Sequence, residues 1–85
     1  MVLCILLMSY NFYMNTKILS NFGAYIKKLR KEAGLSQEEF AEKLNIHRTY
    51  VSFIERGQRN PSLLMLFKIS RVLKLKLPKI FEFDK

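Results

Sequence analysis

Between His47 and Asn60 the chain concentrates side chains suited to gripping the edge and backbone of a nucleic-acid duplex. Arg48 and Thr49 open a short helical pattern, and Ser52 and Phe53 follow one turn later on the same general side. An arginine there can make two parallel hydrogen bonds to guanine O6 and N7, and a threonine can offer its hydroxyl to a base or its methyl to thymine. Phe53 stands where a polar residue would be comfortable, so it either touches thymine methyls or rests on the first helix of the fold. Gln37, Tyr50, Arg56, Gln58 and Asn60 surround this row with donors of the kind that hold phosphates and set register without reading sequence. Gln37 adds a position in the first turn of its own helix, where free amides and the dipole favour an anion. Tyr50 has a structural alternative, its ring on the core and its hydroxyl outward. His47 stands where the helix needs a cap, and a neutral ring can accept an amide there or reach a phosphate.

Catalytic chemistry finds no comparable support. Glu38, Glu39 and Glu42 are close together, but they belong to a solvated helix face, and Glu39 has capping work. The chain has no Ser–His–Asp or Cys–His arrangement, phosphate-cradling glycine loop or metal-ligand spacing, so neither enzyme activity nor a cofactor or metal is expected. Cys4 is the single cysteine, which excludes an internal disulfide and gives no sign of an oxidising compartment; a cytoplasmic location is expected. Fifteen Lys and Arg against seven Asp and Glu leave a formal charge of +8, which favours polyanions as partners. Eighty-five residues hold one domain.

Helices must position these side chains. Ser36 and Glu39 have the spacing of a capping box, and Leu35 and Phe40 that of a hydrophobic staple. Phe40, Ala41 and Leu44 then share a face, and Asn45 can take the left-handed conformation that ends the helix. The next helix is expected over 48–56 with Val51 and Ile54 inward and Gly57 as its stop. A first helix is expected from about Asn21 to Glu32, capped by Ser20 and ended by Gly34. Its apolar stripe is Phe22, Tyr25, Ile26, Leu29 and Ala33. A fourth helix, capped by Ser62, runs over 63–73 with Leu66, Ile69 and Leu73 inward, and Pro78 suits the first turn of a fifth. The expected architecture is all-α, five short helices in one domain over residues 20–85.

Residues 1–19 form an apolar leader, uncharged through Thr16. The run Val2–Met8 is of signal-peptide type but has no basic residue before it, and Ser9 and Asn11 break it well short of the roughly 20 apolar residues a span requires. Three readings stay open: a poorly ordered tail, an added element packed on the domain, or the product of an upstream start codon, Met14 being a natural beginning. The tail and start-codon readings are favoured.

The segment LSQEEFAEKLNIHRTYVSFIERGQRN resembles the helix-turn-helix of phage repressor and Cro proteins, over about Phe22 to Phe81. Within that family, Arg48-Thr49-Tyr50 followed by Arg59-Asn60 is most similar to the controller proteins of restriction–modification systems. The resemblance implies a compact lambda-repressor-like domain and a sequence-specific transcriptional regulator of double-stranded DNA. It places Arg48, Thr49 and Ser52 against bases, with Arg59 joining them in the controller group, and sets several of the surrounding donors on the backbone. It also supports an internal ion pair between Arg30 and Glu55. The alternatives are a phage or mobile-element repressor, an antitoxin with a tight toxin partner, and a protein-interaction module that keeps the fold without DNA.

A single recognition helix reads few bases, so such proteins work as pairs on half-sites about one DNA turn apart. Leu64, Phe67, Ile80, Phe81 and Phe83 exceed what five short helices can bury and are the expected interface of a homodimer on a pseudo-palindromic operator.

Overall fold

The computed structural model describes the backbone of residues 2–84 and the side chains of residues 15–84. Among these residues the structure is all-helical: α1 (Val2–Glu32), α2 (Gln37–Leu44), α3 (Arg48–Glu55), α4 (Leu63–Val72) and α5 (Leu77–Ile80). The helix starts follow the side chains that can cap them. Ser36 Oγ accepts the Glu39 amide at 3.0 Å while Glu39 Oε1 accepts the Ser36 amide at 3.0 Å, so two orphan donors are satisfied reciprocally. The Ser36 amide and hydroxyl hold the Glu39 carboxyl below the ordinary carboxylate range. Its contribution is therefore complete at neutral pH and is lost only as acid takes the pH down through that lowered value. Ser62 Oγ caps α4 through the Met65 amide at 3.1 Å.

Helix ends share one device. Gly34, Asn45, Gly57 and Lys74 all take positive φ, from 59° to 76°. In each case the following amide reaches back five residues along the chain: Leu35 to the Arg30 carbonyl, Ile46 to Ala41, Gln58 to Phe53 and Leu75 to Ser70, over 2.8 to 3.1 Å. These bonds close the last turn and reverse the chain within two or three residues. Three of the four left-handed positions carry Gly or Asn, which suits them. Lys74 does not, and its backbone is strained.

The core is Phe22, Ile26, Phe40, Ala41, Leu44, Val51, Ile54, Ile69, Leu73 and Ile80, drawn from every helix. The expected inner faces of α2 and α3 are those observed, and Leu66 of α4 packs half-buried beside Ile69 and Leu73. Ala33, by contrast, is exposed, because the helix ends at Glu32 and the chain is already turning away.

Two expectations are corrected. Helix α1 does not start near Asn21, and Ser20 is not its cap: the helix runs unbroken from Val2. Nothing between Val2 and Ser20 stops it, since that stretch has neither Gly nor Pro. The leader's side chains through Met14, Cys4 among them, lie outside the described residues. The second correction concerns the expected dimer surface. Ile80 is fully buried, and Phe83 meets Phe22 edge-on with centroids 5.3 Å apart and lies 6.4 Å from Tyr25. Helix α5 is only four residues long and is tied to α1 by the Tyr25 hydroxyl, which donates to the Lys79 carbonyl at 2.8 Å. That tie folds the C-terminal segment onto α1, so Ile80 is part of the monomer core and Phe83 packs half-buried against it.

Gly23 is buried where α1 crosses the end of α3. A Cβ there would lie 2.6 Å from the Glu55 carbonyl oxygen and still closer to that of Ile54. Gly23→Ala should therefore destabilise the fold by about 1–3 kcal/mol, while Lys74→Gly should stabilise it by about 1 kcal/mol or less. Urea unfolding should show both as midpoint shifts in opposite directions, with the slope unchanged.

Candidate nucleic-acid interface

Helix α3 has an inner and an outer side. Val51, Ile54 and Glu55 are buried, while Arg48, Thr49 and Arg56 are exposed and Ser52 and Phe53 are half-buried. His47 Nδ1 accepts the Thr49 amide at 3.0 Å, so the imidazole is the cap of α3 and its Nδ1 is occupied. Gly57 closes the other end; a Cβ on it would meet the Ser20 backbone at 2.7 Å, which brings the end of α3 directly onto α1.

What sets α3 in place is buried charge. Arg30 Nε donates to Glu55 Oε2 at 2.7 Å and Arg30 Nη2 to Glu55 Oε1 at 3.1 Å, a two-toothed pair with both residues nearly removed from water. Arg30 Nη1 donates to the Leu35 carbonyl at 2.7 Å, and Gln37 Nε2 donates to Glu55 Oε1 at 3.1 Å. The carboxylate thus gathers α1, α2 and α3, and its arginine partner adds the turn before α2. The expected Arg30–Glu55 pair is present. Gln37 proves to be part of it, a contact the sequence reading missed: it spends one amide N–H on Glu55 and keeps a second for another partner. The Ser36 cap takes the Glu39 amide, leaving those of Gln37 and Glu38 ahead of it at the same helix start.

The outer side also carries contacts that sequence spacing did not show. Arg48 Nε lies 3.5 Å from Glu38 Oε1, both side chains well exposed. Arg56 Nε donates to the Ser52 carbonyl at 3.3 Å, and its guanidinium stands 5.0 Å from the centroid of Phe53. Arg59, beyond the helix, lies 5.9 Å from the centroids of both Tyr50 and Phe53. Phe53 is not among the half-buried residues packed on the core, whereas Tyr50 is. Phe53 is half-buried, and its ring carries two arginines, each such contact contributing about 0.5–1 kcal/mol at an exposed site. Gln58 and Asn60 are exposed in the loop after α3. Every candidate base or phosphate residue therefore lies on α3, its two flanking turns or the first residue of α2.

A family profile described as helix-turn-helix matches residues 26–80. The control protein C.MunI of a Mycoplasma species is 52% identical over 62 residues, spanning 72% of this chain and 84% of that protein. The crystal structure of the restriction–modification controller protein C.AhdI from Aeromonas hydrophila superposes with a TM-score of 0.72 at 40% identity, covering 74% of this chain and 96% of that one. The controller protein C.Esp1396I, crystallised as a tetramer in complex with its natural 35 base-pair operator, superposes with a TM-score of 0.69 at 42% identity, covering 76% of this chain and 86% of that one.

The buried pair makes a sharp expectation. Glu55→Ala should cost about 3–5 kcal/mol, because Arg30 is left charged and uncompensated. Replacing both partners together, Arg30→Met with Glu55→Leu, should recover most of that loss. Thermal unfolding of the two variants beside the parent protein measures the difference.

Proposed function

The chain belongs to the helix-turn-helix family, and from that premise we propose that it is a sequence-specific transcriptional regulator of the restriction–modification controller type, binding double-stranded DNA as a homodimer. The observation that carries the reading is the division of α3: an inner row locked to the core, and an outer row of Arg48, Thr49 and Ser52 left available. A helix so held enters the major groove as a rigid body, with the side chains near its start against base edges.

The roles follow from position. Arg48 takes guanine, Thr49 and Ser52 supply short donors and acceptors, and Arg59 reaches a further base from the loop. Phe53 supports the arginines and offers its edge to a thymine methyl. Gln37, with its spare amide N–H, and His47, Tyr50, Arg56, Gln58 and Asn60 contact phosphates on either side of the groove. The net charge of +8 supplies the long-range attraction and a steep salt dependence.

For the dimer, the apolar residues that remain exposed are the guide. With Ile80 buried and Phe83 packed half-buried on the core, the exposed large apolar residues among those described are Ile18, Leu63, Leu64, Phe67 and Phe81, and Leu63, Leu64 and Phe67 stand together on α4. Such a cluster is costly in water, and its burial against a second copy would set two α3 helices on one side of the pair, facing successive major grooves.

Two measurements test the reading. Arg48→Ala should weaken binding to a selected operator by about 1–3 kcal/mol and relax preference at one base pair, whereas Asn60→Ala should weaken all sequences alike. Unchanged operator affinity for Arg48→Ala in a gel-shift titration would overturn the docking. Leu64→Glu combined with Phe67→Glu should convert the sedimenting species to monomer at micromolar concentration without loss of helix content, since both side chains are exposed. A variant that still sediments as a dimer would place the interface elsewhere.

A further inference from the structure

Glu38 has no place in the base or phosphate roles above, yet its carboxylate is the group paired with the foremost candidate reader. The pair is formed through Arg48 Nε, at 3.5 Å from Glu38 Oε1. That choice of atom matters. A guanidinium has one Nε–H on its flank and four Nη–H at its end. A carboxylate on the flank leaves the end of the fork free, and two parallel bonds from that end suit guanine O6 and N7. Glu38 is placed by a helix that is itself tied down. It follows Gln37, which is tied to Glu55, so consecutive residues of the first turn of α2 hold the last and the first residues of α3.

We propose that Glu38 is a specificity-determining residue: it positions the Arg48 guanidinium for end-on recognition of guanine and restrains it from indiscriminate phosphate contact. The inference rests on Arg48 reading a base, as assigned above. Both groups are exposed, so the pair adds little to folding, and its effect is on the population of arginine rotamers presented to DNA. An arginine free to swing satisfies itself on any phosphate, which raises affinity for every sequence alike. One already held by its flank meets guanine with less rotamer freedom left to lose.

Charge and geometry are separable. Glu38→Asp keeps the negative charge but is one methylene too short to reach Nε. Glu38→Gln keeps the length and an acceptor oxygen but loses the charge. The test is selection from a randomised duplex library with the full-length parent protein, both Glu38 variants and Arg48→Ala. Competition titrations against random-sequence DNA follow, on the selected duplex with and without its guanine. Glu38→Asp should lose about two- to fivefold of the guanine preference, with random-sequence affinity raised by the released arginine. Glu38→Gln should keep more of that preference while binding random DNA more tightly. If Arg48→Ala abolishes the guanine preference but Glu38→Asp retains it in full, the positioning role is wrong and the base-reading assignment stands. If Arg48→Ala itself retains the preference, the assignment fails and the inference falls with it.

Discussion

A carboxylate buried between three helices is the constraint on which the rest of this small fold depends. Glu55 ends α3, the helix whose outer side must be presented, and it receives hydrogen bonds from Arg30 on α1 and Gln37 on α2. Buried charge is a poor source of net stability, because the cost of removing two ions from water offsets most of their attraction. It is a good source of direction. Apolar contacts such as those of Val51 and Ile54 tolerate small rotations of a helix, whereas paired guanidinium bonds at 2.7 and 3.1 Å do not. Gly23 and Gly57 complete the fixation by letting the end of α3 rest against the backbone of α1 at two points. The recognition helix is thus held at its C-terminal end and free along its outer side.

Electrostatics divide along the same line. The charged pair inside the fold is dry and geometric, and the pairs outside it, Arg48 with Glu38 and Lys79 with Glu82, are wet. Lys79 shows the ordinary behaviour of such a contact: its hydrogen bond to Glu82 raises its affinity for the proton, so the bond's contribution is present below the usual lysine range and is lost as alkali takes the pH up through the raised value. Around α3 the basic groups are either stacked on rings or lightly paired, which keeps them ordered without burying them. That condition suits groups which must exchange one partner for another on binding.

Local rules carried much of the fold into view. Capping and stop residues (Ser36, Glu39, Asn45, Gly57 and Ser62) act within a few positions of themselves, so their effect is legible from spacing alone, and the boundaries of α2, α3 and α4 lie within a residue or so of those expected. The start of α1 was not legible in the same way. Ser20 has the chemistry of a cap, but a cap acts only where the preceding chain leaves the helix, and here the preceding chain continues it. Long-range packing was the other limit. Periodicity places Ile80 and Phe83 on an apolar segment without saying what covers that segment, and the answer depends on a hydrogen bond from Tyr25, 54 residues away along the chain. Gly23 did leave a signal, since a glycine inside a helix costs about 1 kcal/mol and calls for a reason; the reason lies on another helix. Of the site, the outer row of α3 was readable because it is local, while the pairing of Arg48 with Glu38 and of Gln37 with Glu55 depends on how two helices cross.

The close seating of Gly57 against Ser20 has a consequence for how such a protein acquires a new target. The residues that hold α3 in place, Val51, Ile54, Glu55 and Gly57, occupy different positions from those it presents, Arg48, Thr49 and Ser52. Substitutions in the second set need no compensating change in the first. Replacements among the presented side chains therefore leave the packing that holds the helix undisturbed, and each yields a folded molecule. A side chain at Gly57 would collide with the Ser20 backbone, so freedom to substitute is confined to the outer side of the helix.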